Sequence, residues 1–542
     1  MSRRRVESFS GNWGTSRLSP GSQPGQGLLG AQKYRSKIAS GIIGTTFMWT
    51  LTAMRGNIAD RRVVLLPPAL LQGTQEVVPS MTYKRSISPI HVCLLALVLS
   101  LALPAFAEWN EKVLYSFQGG TNDGAGPVGG VVFDKQGNLY GVLQFYGPGS
   151  CGPIANECGA VFQLAPPVKQ GDPWTETLIY KFGGKGSNDG ESPNGGLIID
   201  GQGNLYGVTA YGGTGDCVLL GVPAGCGTVY EISPPKQKGE AWKETILYSF
   251  PTTKQGYVPI GSLVFDGVGD LYGATLYGGT KGTTCDGYYG GQCGVVFELS
   301  PPKTKGGKWT EKVLHNFAGV AQGKQYGDGA NPNGGLVLDS KGNIYGTTPT
   351  GGFNCPHHSG QGCGTLFELK PPTNTTGLWT ASQVHVFTDG TDGVQPTAGV
   401  ILDSSASSVY GASEGGSNGS GVVFKVTIRD EHWNDTALYS FGGESYYYSP
   451  AVCRMDSNGN IYGTTNVGPD SLDGSVFRLK PPAQPAGWTE STLYGFTGSP
   501  DGAIANPALT VDKSGHFYGT TQAGGTGQSC QGGCGSVFGV WP

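Results

Sequence analysis

The stretch Asp339-Ser-Lys-Gly-Asn-Ile-Tyr-Gly-Thr-Thr348 recurs along most of the chain and decides its fold. Apolar residues precede the aspartate, Ser-Lys-Gly-Asn supplies turn-forming residues and an aromatic strand follows, a pattern that predicts a β-hairpin. Seven copies are present, with their leading aspartates 53 to 73 residues apart: Asp134, Asp200, Asp266, Asp339, Asp403, Asp456 and Asp512. Repetition at such intervals is typical of an array built from one supersecondary unit.

Each copy contains four strand-like segments. In the fourth copy they are Trp309 to Phe317, Leu336 to Asp339, Asn343 to Thr348 and Gly364 to Leu369. The tryptophan-led segment alternates apolar and polar residues, so it is expected near solvent. The segment before the turn, for example Leu197-Ile198-Ile199, is apolar on both faces and is expected to lie deepest.

Seven units of four antiparallel strands predict an all-β protein, a seven-bladed β-propeller of four-stranded blades. The first copy begins with a tryptophan-led strand at Trp109, and the last copy ends after its third strand, Gly535 to Gly539. We therefore expect Trp109 to Phe117 to pair with the strand near Val537, which completes the last blade and removes an exposed edge.

The segment before the repeats divides in two. Residues 1–80 lack the repeat's motifs and are interpreted as disordered or as a wrongly assigned leader. Residues 81–107 read as a signal peptide, with Lys84 and Arg85, an apolar run from Ile90 to Leu103 and the site Ala105-Phe106-Ala107. The alternative is a membrane anchor, although the run is shorter than the roughly 20 residues of a spanning helix. Residues 108–542 would form the propeller.

The net charge and the missing motifs argue against several classes of function. Residues 108–542 carry a net charge of −13, which argues against nucleic acid, and a membrane contact is expected only through an uncleaved 90–107 segment. No phosphate-binding loop or nucleophile motif is present, and no cofactor is expected. The chain has seven histidines, and His315, His385, His432 and His516 are taken to fall at unrelated points of the repeat.

Ten of the twelve cysteines fall in pairs within one inter-strand loop of the repeat, which predicts five local disulfides in an exported protein. The pairs are Cys151–Cys158, Cys217–Cys226, Cys285–Cys293, Cys355–Cys363 and Cys530–Cys534. Zinc bound by Cys355, His357, His358 and Cys363 is the alternative for one loop. Cys453 is expected to be a buried, inert thiol, and the neighbouring Arg454 a buried cation that needs a partner.

Three motifs carry a resemblance to a known family: Gly-Asn-Leu-Tyr-Gly at 203–207, Gly-Thr-Val-Tyr-Glu-Ile at 227–232, and Trp-Thr-Glu with Leu-Tyr-Gly-Phe at 488–496. With them, residues 109–542 resemble the bacterial GloVer tandem repeats. The resemblance implies an exported bacterial protein of propeller type. Members often end in a membrane or wall anchor, and no apolar tail is seen here, so a C-terminal anchor is not expected.

Candidate binding residues lie in two sets of loops. Asp-Gly pairs precede the inner strand and are interpreted as turns, with calcium or sugar binding as the alternative: Asp123, Asp189, Asp328, Asp392 and Asp501. The cysteine loops carry rings suited to stacking on sugars or packing on a protein: Tyr211, Tyr277, Tyr288, Tyr289 and Phe353. Both sets are expected on one face of the propeller.

The favoured function is therefore a non-enzymatic, extracytoplasmic scaffold that binds a glycan or an extracellular protein, whether secreted, periplasmic or at the cell surface. The alternative is a propeller enzyme acting on polysaccharide, a glycosidase or lyase. A glycosidase would need two carboxylates about 5–10 Å apart in a pocket.

Overall fold

A computed structural model describes residues 109–145, 158–169, 171–219, 221–279, 285, 292–319, 327–352, 355, 362–374, 377–417, 419–429, 432–442, 449–467, 473–483 and 487–541. The proposed signal peptide lies outside these residues, as do Cys151, Tyr288, Tyr289, Phe353, His357 and His358. Within the described ranges, the structure contains no helix with the length and apolar character of a membrane span.

The chain forms seven antiparallel blades, as predicted. Each blade runs from an inner strand outward, and its outer strand is the tryptophan-led strand. The strands of blade 1 are Ala125–Phe133, Leu139–Phe145, Ala160–Ala165 and Thr175–Lys181, and those of blade 2 are Gly190–Pro193 with Ile198–Ile199, Leu205–Gly212, Thr228–Ser233 and Lys243–Ser249. The strands of blade 3 are Tyr257–Phe265, Leu271–Tyr277, Val295–Ser300 and Thr310–Asn316, and those of blade 4 are Val337–Leu338, Ile344–Thr348, Thr365–Lys370 and Thr380–Val386.

Blades 5 to 7 follow the same order. The strands of blade 5 are Ile401–Leu402, Ser408–Ser413, Val422–Arg429 and His432–Ser440, and those of blade 6 are Pro450–Met455, Ile461–Thr465, Ser475–Lys480 and Thr489–Gly495. The strands of blade 7 are Ala503–Ala505 with Thr510–Val511, Phe517–Ala523, Ser536–Trp541 and Asn110–Ser116. Three short elements lie in loops: the helix Gly120–Asp123, the 3-10 turn Lys185–Ser187, and the hairpin Val218–Leu219 with Val222–Pro223.

The two ends of the propeller close in one blade. The first strand, Asn110–Ser116, is the outer strand of blade 7 and runs antiparallel to Ser536–Trp541. Asn110 lies opposite Trp541, and Tyr115 lies opposite Val537. The expected closure by the N-terminal strand is therefore confirmed.

The aspartate that leads each repeat holds the turn between the first two strands. In blade 1, Oδ1 of Asp134 accepts hydrogen bonds from the backbone N–H groups of Gln136 and Asn138, at 2.8 and 2.9 Å. Oδ2 accepts from the Asn138 side chain at 2.6 Å and from the Tyr140 hydroxyl at 2.9 Å. This is the Asx-turn that Asp, Gly and Asn favour at a hairpin. The carboxylate is therefore engaged within its own turn.

The inner strand is not the deepest strand, contrary to the expectation from its apolar sequence. In blade 4, every residue of Ile344–Thr348 is buried, whereas Val337 and Leu338 are only half-buried. The inner strand has a neighbouring strand on one side only, and this position leaves part of its surface open. Arg454 lies at the same position of blade 6 and is exposed. The expectation that Arg454 is a buried cation in need of a partner is therefore wrong.

Aromatic contacts join each blade to the next. A phenylalanine just after every outer strand packs edge-to-face on a ring of the third strand of the following blade, with ring centroids 4.9 to 5.2 Å apart. The seven pairs are Phe117–Phe162, Phe182–Tyr230, Phe250–Phe297, Phe317–Phe367, Phe387–Phe424, Phe441–Phe477 and Phe496–Phe538. Such edge-to-face contacts add stability beyond the burial of the rings.

Glycine backbones bring the inner strands together around the axis. A Cβ added to Gly129 of blade 1 would lie 2.4 Å from the backbone N of Gly196 in blade 2. A Cβ on Gly195 would lie 2.3 Å from the backbone oxygen of Gly261 in blade 3. Both glycines also have positive φ, at 65° and 112°. The inner strands can approach this closely only because these positions lack side chains.

Candidate functional site

The loops that precede the inner strands and the cysteine loops meet on one face, which we call the cysteine-loop face. In blade 2, the Gly213 N–H donates to the Asp189 carbonyl at 2.7 Å. In blade 3, the Gly279 N–H donates to the Thr253 carbonyl, also at 2.7 Å. In blade 7, a Cβ on Gly119 would lie 2.9 Å from the sulfur of Cys530. The face is thus a packed layer of loops tied to each other.

Disulfides close these loops, as the sequence predicts. Four bonds lie within the described part of the chain: Cys217–Cys226, Cys285–Cys293, Cys355–Cys363 and Cys530–Cys534. Cys158 is also disulfide-bonded, and its expected partner Cys151 lies outside the described residues. Disulfides of this kind form and persist in an oxidising, extracytoplasmic environment.

The disulfide Cys355–Cys363 removes two of the four ligands of the alternative zinc site, so a site built on these two thiolates is wrong. Among the described residues, no group of three or more His, Cys, Asp or Glu side chains is placed to hold a metal ion. Cys453 is half-buried, and burial raises the pKa of its thiol to about 12. It therefore stays protonated near neutral pH.

The Asp-Gly loops use their carboxylates internally. Asp501 accepts from the Tyr494 hydroxyl at 2.5 Å and from the hydroxyl of Thr497 at 2.9 Å. Asp189 accepts from the Tyr180 hydroxyl at 2.9 Å and from backbone N–H groups of its loop. Asp123 likewise accepts from a tyrosine of the outer strand, Tyr115. These carboxylates order the loops and tie them to the preceding strand.

Two histidines take the place of that tyrosine. Nε2 of His315 lies 3.0 Å from Oδ2 of Asp328, and Nε2 of His385 lies 3.0 Å from Oδ2 of Asp392. His315 and His385 each stand two residues before the phenylalanine that packs on the next blade. The expectation that the histidines fall at unrelated points of the repeat is therefore wrong for this pair. Aligning Leu-His-Asn-Phe with Val-His-Val-Phe would have shown the match.

At several blade boundaries, a half-buried glutamate of the next outer strand lies close enough to the Asp-Gly aspartate to feel its charge. Burial, and then the charge of Asp123, raises the pKa of Glu176 to about 7. Burial and the neighbouring aspartates Asp501 and Asp189 do the same for Glu111 and Glu244. Because the arrangement repeats at successive blade boundaries, it is a feature of the fold. It is not the single carboxylate pair that a glycosidase pocket would require.

Aromatic rings gather on the cysteine-loop face at blades 2 and 3. The ring of Tyr257 lies between those of Tyr211 and Tyr277, with centroids 6.3 and 6.2 Å away. Tyr257 is buried, whereas Tyr211 and Tyr277 are half-buried. The structure therefore brings together two predicted binding residues through a third that the sequence analysis missed. Tyr257 follows the loop glycine, where blades 1, 4 and 7 have alanine, and this contrast was the available signal.

Glu191 occupies the position of Tyr257 in blade 2, where it pairs with Tyr211 across the strands. Its side chain is buried, and Oε2 has no hydrogen-bond partner among the described residues. Burial raises the pKa of this carboxyl, although the Lys185 backbone N–H opposes the shift. We call Glu191, Tyr211, Tyr257 and Tyr277 the aromatic cluster.

The family model of the Gloeobacter/Verrucomicrobia repeat matches residues 106–284 and 282–538. No curated protein matches the chain.

Solved structures that match the chain share little sequence with it. A gluconolactonase of Xanthomonas campestris is 13% identical, with a TM-score of 0.33, over 64% of this chain and 85% of that one. A sialidase of Trypanosoma rangeli is 11% identical, with a TM-score of 0.35, over 70% and 57%. A puromycin-hydrolyzing peptidase of Mycobacterium tuberculosis is 12% identical, with a TM-score of 0.39, over 73% and 50%.

Proposed function

The chain belongs to the Gloeobacter/Verrucomicrobia repeat family, and we propose that it is an exported propeller that binds a glycan on its cysteine-loop face without transforming it. The observation that carries the proposal is the aromatic cluster. Half-buried tyrosines present flat apolar faces with a polar edge, the surface that sugar rings contact. Glu191, whose side chain is buried, pairs with Tyr211 across the strands.

Disulfides on both sides of the cluster favour tight binding. Cys217–Cys226 closes the loop after Tyr211, and Cys285–Cys293 closes the loop after Tyr277. A loop that is already ordered loses less conformational entropy when a ligand binds. The net charge of −13 for residues 108–542 favours a neutral glycan over a polyanion. A secreted, periplasmic or cell-surface location follows from the export proposed here.

A glycan array probed with the purified chain tests the proposal. For a glycan that binds, Tyr211→Ala and Tyr277→Ala should each weaken the affinity by about five- to tenfold, equivalent to roughly 1 to 1.4 kcal/mol. Alanine at Tyr288 and Tyr289 in the neighbouring loop should also weaken it. Lys303→Ala and Lys305→Ala are the controls, because both lysines are exposed on the opposite face.

Three results would contradict the proposal. Binding that is lost with Lys303→Ala or Lys305→Ala and kept with Tyr211→Ala would place the ligand on the other face. Release of shortened products at catalytic rates from any bound polysaccharide would favour the alternative, a polysaccharide-active enzyme. An array on which no glycan binds would favour a protein partner.

A further inference from the structure

A cavity of about 570 Å³ opens between blades 4 and 5 on the opposite face, which carries the hairpin turns. Its volume lies within the roughly 300–1,000 Å³ that small-molecule sites occupy. Asp339, Lys341, Tyr345, Glu368 and Lys370 of blade 4 line one side, and Trp433 of the outer strand of blade 5 lines the other. The cavity is thus bounded by two aromatic rings, those of Tyr345 and Trp433, and by four charged groups.

On the blade 4 side of the cavity, Glu368 contacts both Tyr345 and Lys370. Oε1 of Glu368 accepts from the Tyr345 hydroxyl at 2.9 Å, and Oε2 lies 3.3 Å from Nζ of Lys370. The Glu368 side chain is only 2% exposed, whereas that of Lys370 is 53% exposed. Lys370 thus lies beside a buried carboxylate while its side chain stays about half exposed at the edge of the cavity.

Lys341 is exposed, as Lys370 is, but it has no ion-pair partner among the described residues. The nearby carboxylate of Asp339 is occupied by its own turn, where it accepts from the backbone N–H groups of Lys341 and Asn343. The Lys341 ammonium group is thus available to a ligand.

The other blades provide an internal comparison, since the same turn and tyrosine recur in each. At the position of Glu368, they carry Gln163, Glu231, Glu298, Lys425, Arg478 and Gly539. In blades 2 and 3 the glutamate accepts from a serine two residues later, Ser233 or Ser300, at 2.7 and 3.1 Å. Blade 4 alone combines a glutamate at this position with a lysine two residues later.

We infer that this cavity, which we call the blade 4–5 pocket, is a binding site for a neutral pyranose residue. Trp433 offers a ring face to the sugar C–H groups, while Lys341 and Lys370 donate to its hydroxyl oxygens. Two carboxylates and two ammonium groups line the pocket, so its formal charge balances and no charged ligand is selected. The inference does not depend on what binds the cysteine-loop face.

Saturation-transfer NMR on the purified chain tests the inference, with cellobiose, maltose and lactose as probes. At least one disaccharide should bind at millimolar concentration or below. Trp433→Ala should weaken that binding by about tenfold or more, and Lys341→Ala by about threefold. Lys341 is exposed, so its replacement leaves folding intact even if the tryptophan variant is less stable.

The matched control is Trp488→Ala, because Trp488 is the equivalent tryptophan of blade 6 and is half-buried like Trp433. The affinity of the Trp488→Ala variant for the disaccharide should equal that of the parent protein. The inference is overturned if none of the three sugars binds, if Trp433→Ala and Trp488→Ala behave alike, or if Tyr211→Ala alone abolishes binding.

Discussion

Phe117, just after the first strand, packs edge-to-face on Phe162 of blade 1, with ring centroids 5.2 Å apart. This contact is the counterpart, at the closing blade, of the six contacts that join the other neighbours. Phe117 has no exposed surface. The N-terminal strand therefore contributes both a hydrogen-bonded edge to blade 7 and an aromatic contact to blade 1.

Removing this ring should destabilise the whole propeller. Phe117→Ala is expected to lower the free energy of unfolding by about 3–5 kcal/mol, the usual cost of emptying a buried phenylalanine site. Urea unfolding measures it. Phe145→Ala is the control, because Phe145 is 40% exposed. Deleting residues 108–118 should cause unfolding or aggregation through the exposed edge of Ser536–Trp541. A deletion variant that melts like the parent would contradict the role given to this strand.

Stability should fall as pH rises from mildly acidic to neutral. Glu111, Glu176, Glu244 and Glu311 have pKa values raised from 4.5 to about 7 by burial. The folded chain then holds these protons more tightly than the unfolded chain, so deprotonation between about pH 4.5 and pH 7 favours unfolding. The destabilisation is complete above about pH 7.

Urea midpoints at about pH 5 and about pH 8 measure this effect. Glu176→Gln keeps the size of the side chain and removes its titration, so the difference between the two midpoints should shrink. Glu240→Gln, at an exposed position, should leave the difference as it is in the parent. Equal differences in all three proteins would show that Glu176 does not titrate in this range.

One hairpin turn is strained. Ala406 of blade 5 has φ of 51°, and glycines with positive φ occupy this turn position in the other six blades: Gly137, Gly203, Gly269, Gly342, Gly459 and Gly515. Left-handed backbone costs an ordinary residue about 1–2 kcal/mol. Ala406→Gly should therefore raise the free energy of unfolding by about 0.5–1 kcal/mol, and Gly342→Ala should lower it by about 1 kcal/mol. Thermal unfolding of both variants measures the direction of each change in stability. If Ala406→Gly is less stable than the parent, the backbone at Ala406 is not strained.

The eleven cysteines of residues 108–542 should comprise one slowly reacting thiol, Cys453, and five disulfide bonds. Peptide mapping without reduction should link Cys151 to Cys158 as well as the four pairs described. Because burial holds the pKa of Cys453 at about 12, iodoacetamide should modify it slowly in the folded chain and fast after unfolding. Rapid modification of the folded chain would show that the thiol is accessible and ionised.

The strands, the hairpin turns and the closure could be predicted because each is encoded locally and repeated seven times. The blade order followed from one observation, that Trp109 opens a strand and the chain ends after a third strand. Contacts between blades were harder to predict. The phenylalanine contacts, the histidine–aspartate pairs and the blade 4–5 pocket lie at boundaries between blades, and periodicity does not show which side chains meet across such a boundary.

The candidate site shows the same division. Tyr211 and Tyr277 could be selected as loop rings, but the position of Tyr257 between them depends on how two blades pack. Arg454 was expected to be buried because the inner strand is apolar, although its position in the fold leaves it exposed. The Asp-Gly carboxylates could be recognised as turn residues, whereas their bonds to Tyr115, Tyr180 and Tyr494 required the structure.

The shared blade has a consequence for how the chain folds as it is made. Synthesis proceeds from the N-terminus, so Asn110–Ser116 emerges first, yet its partner Ser536–Trp541 emerges last. Blades 1 to 6 can assemble in order from neighbouring strands, while the first strand stays unpaired until the end of synthesis. A prematurely terminated chain would therefore keep an open edge that is prone to aggregation, because the partner of its first strand is never made.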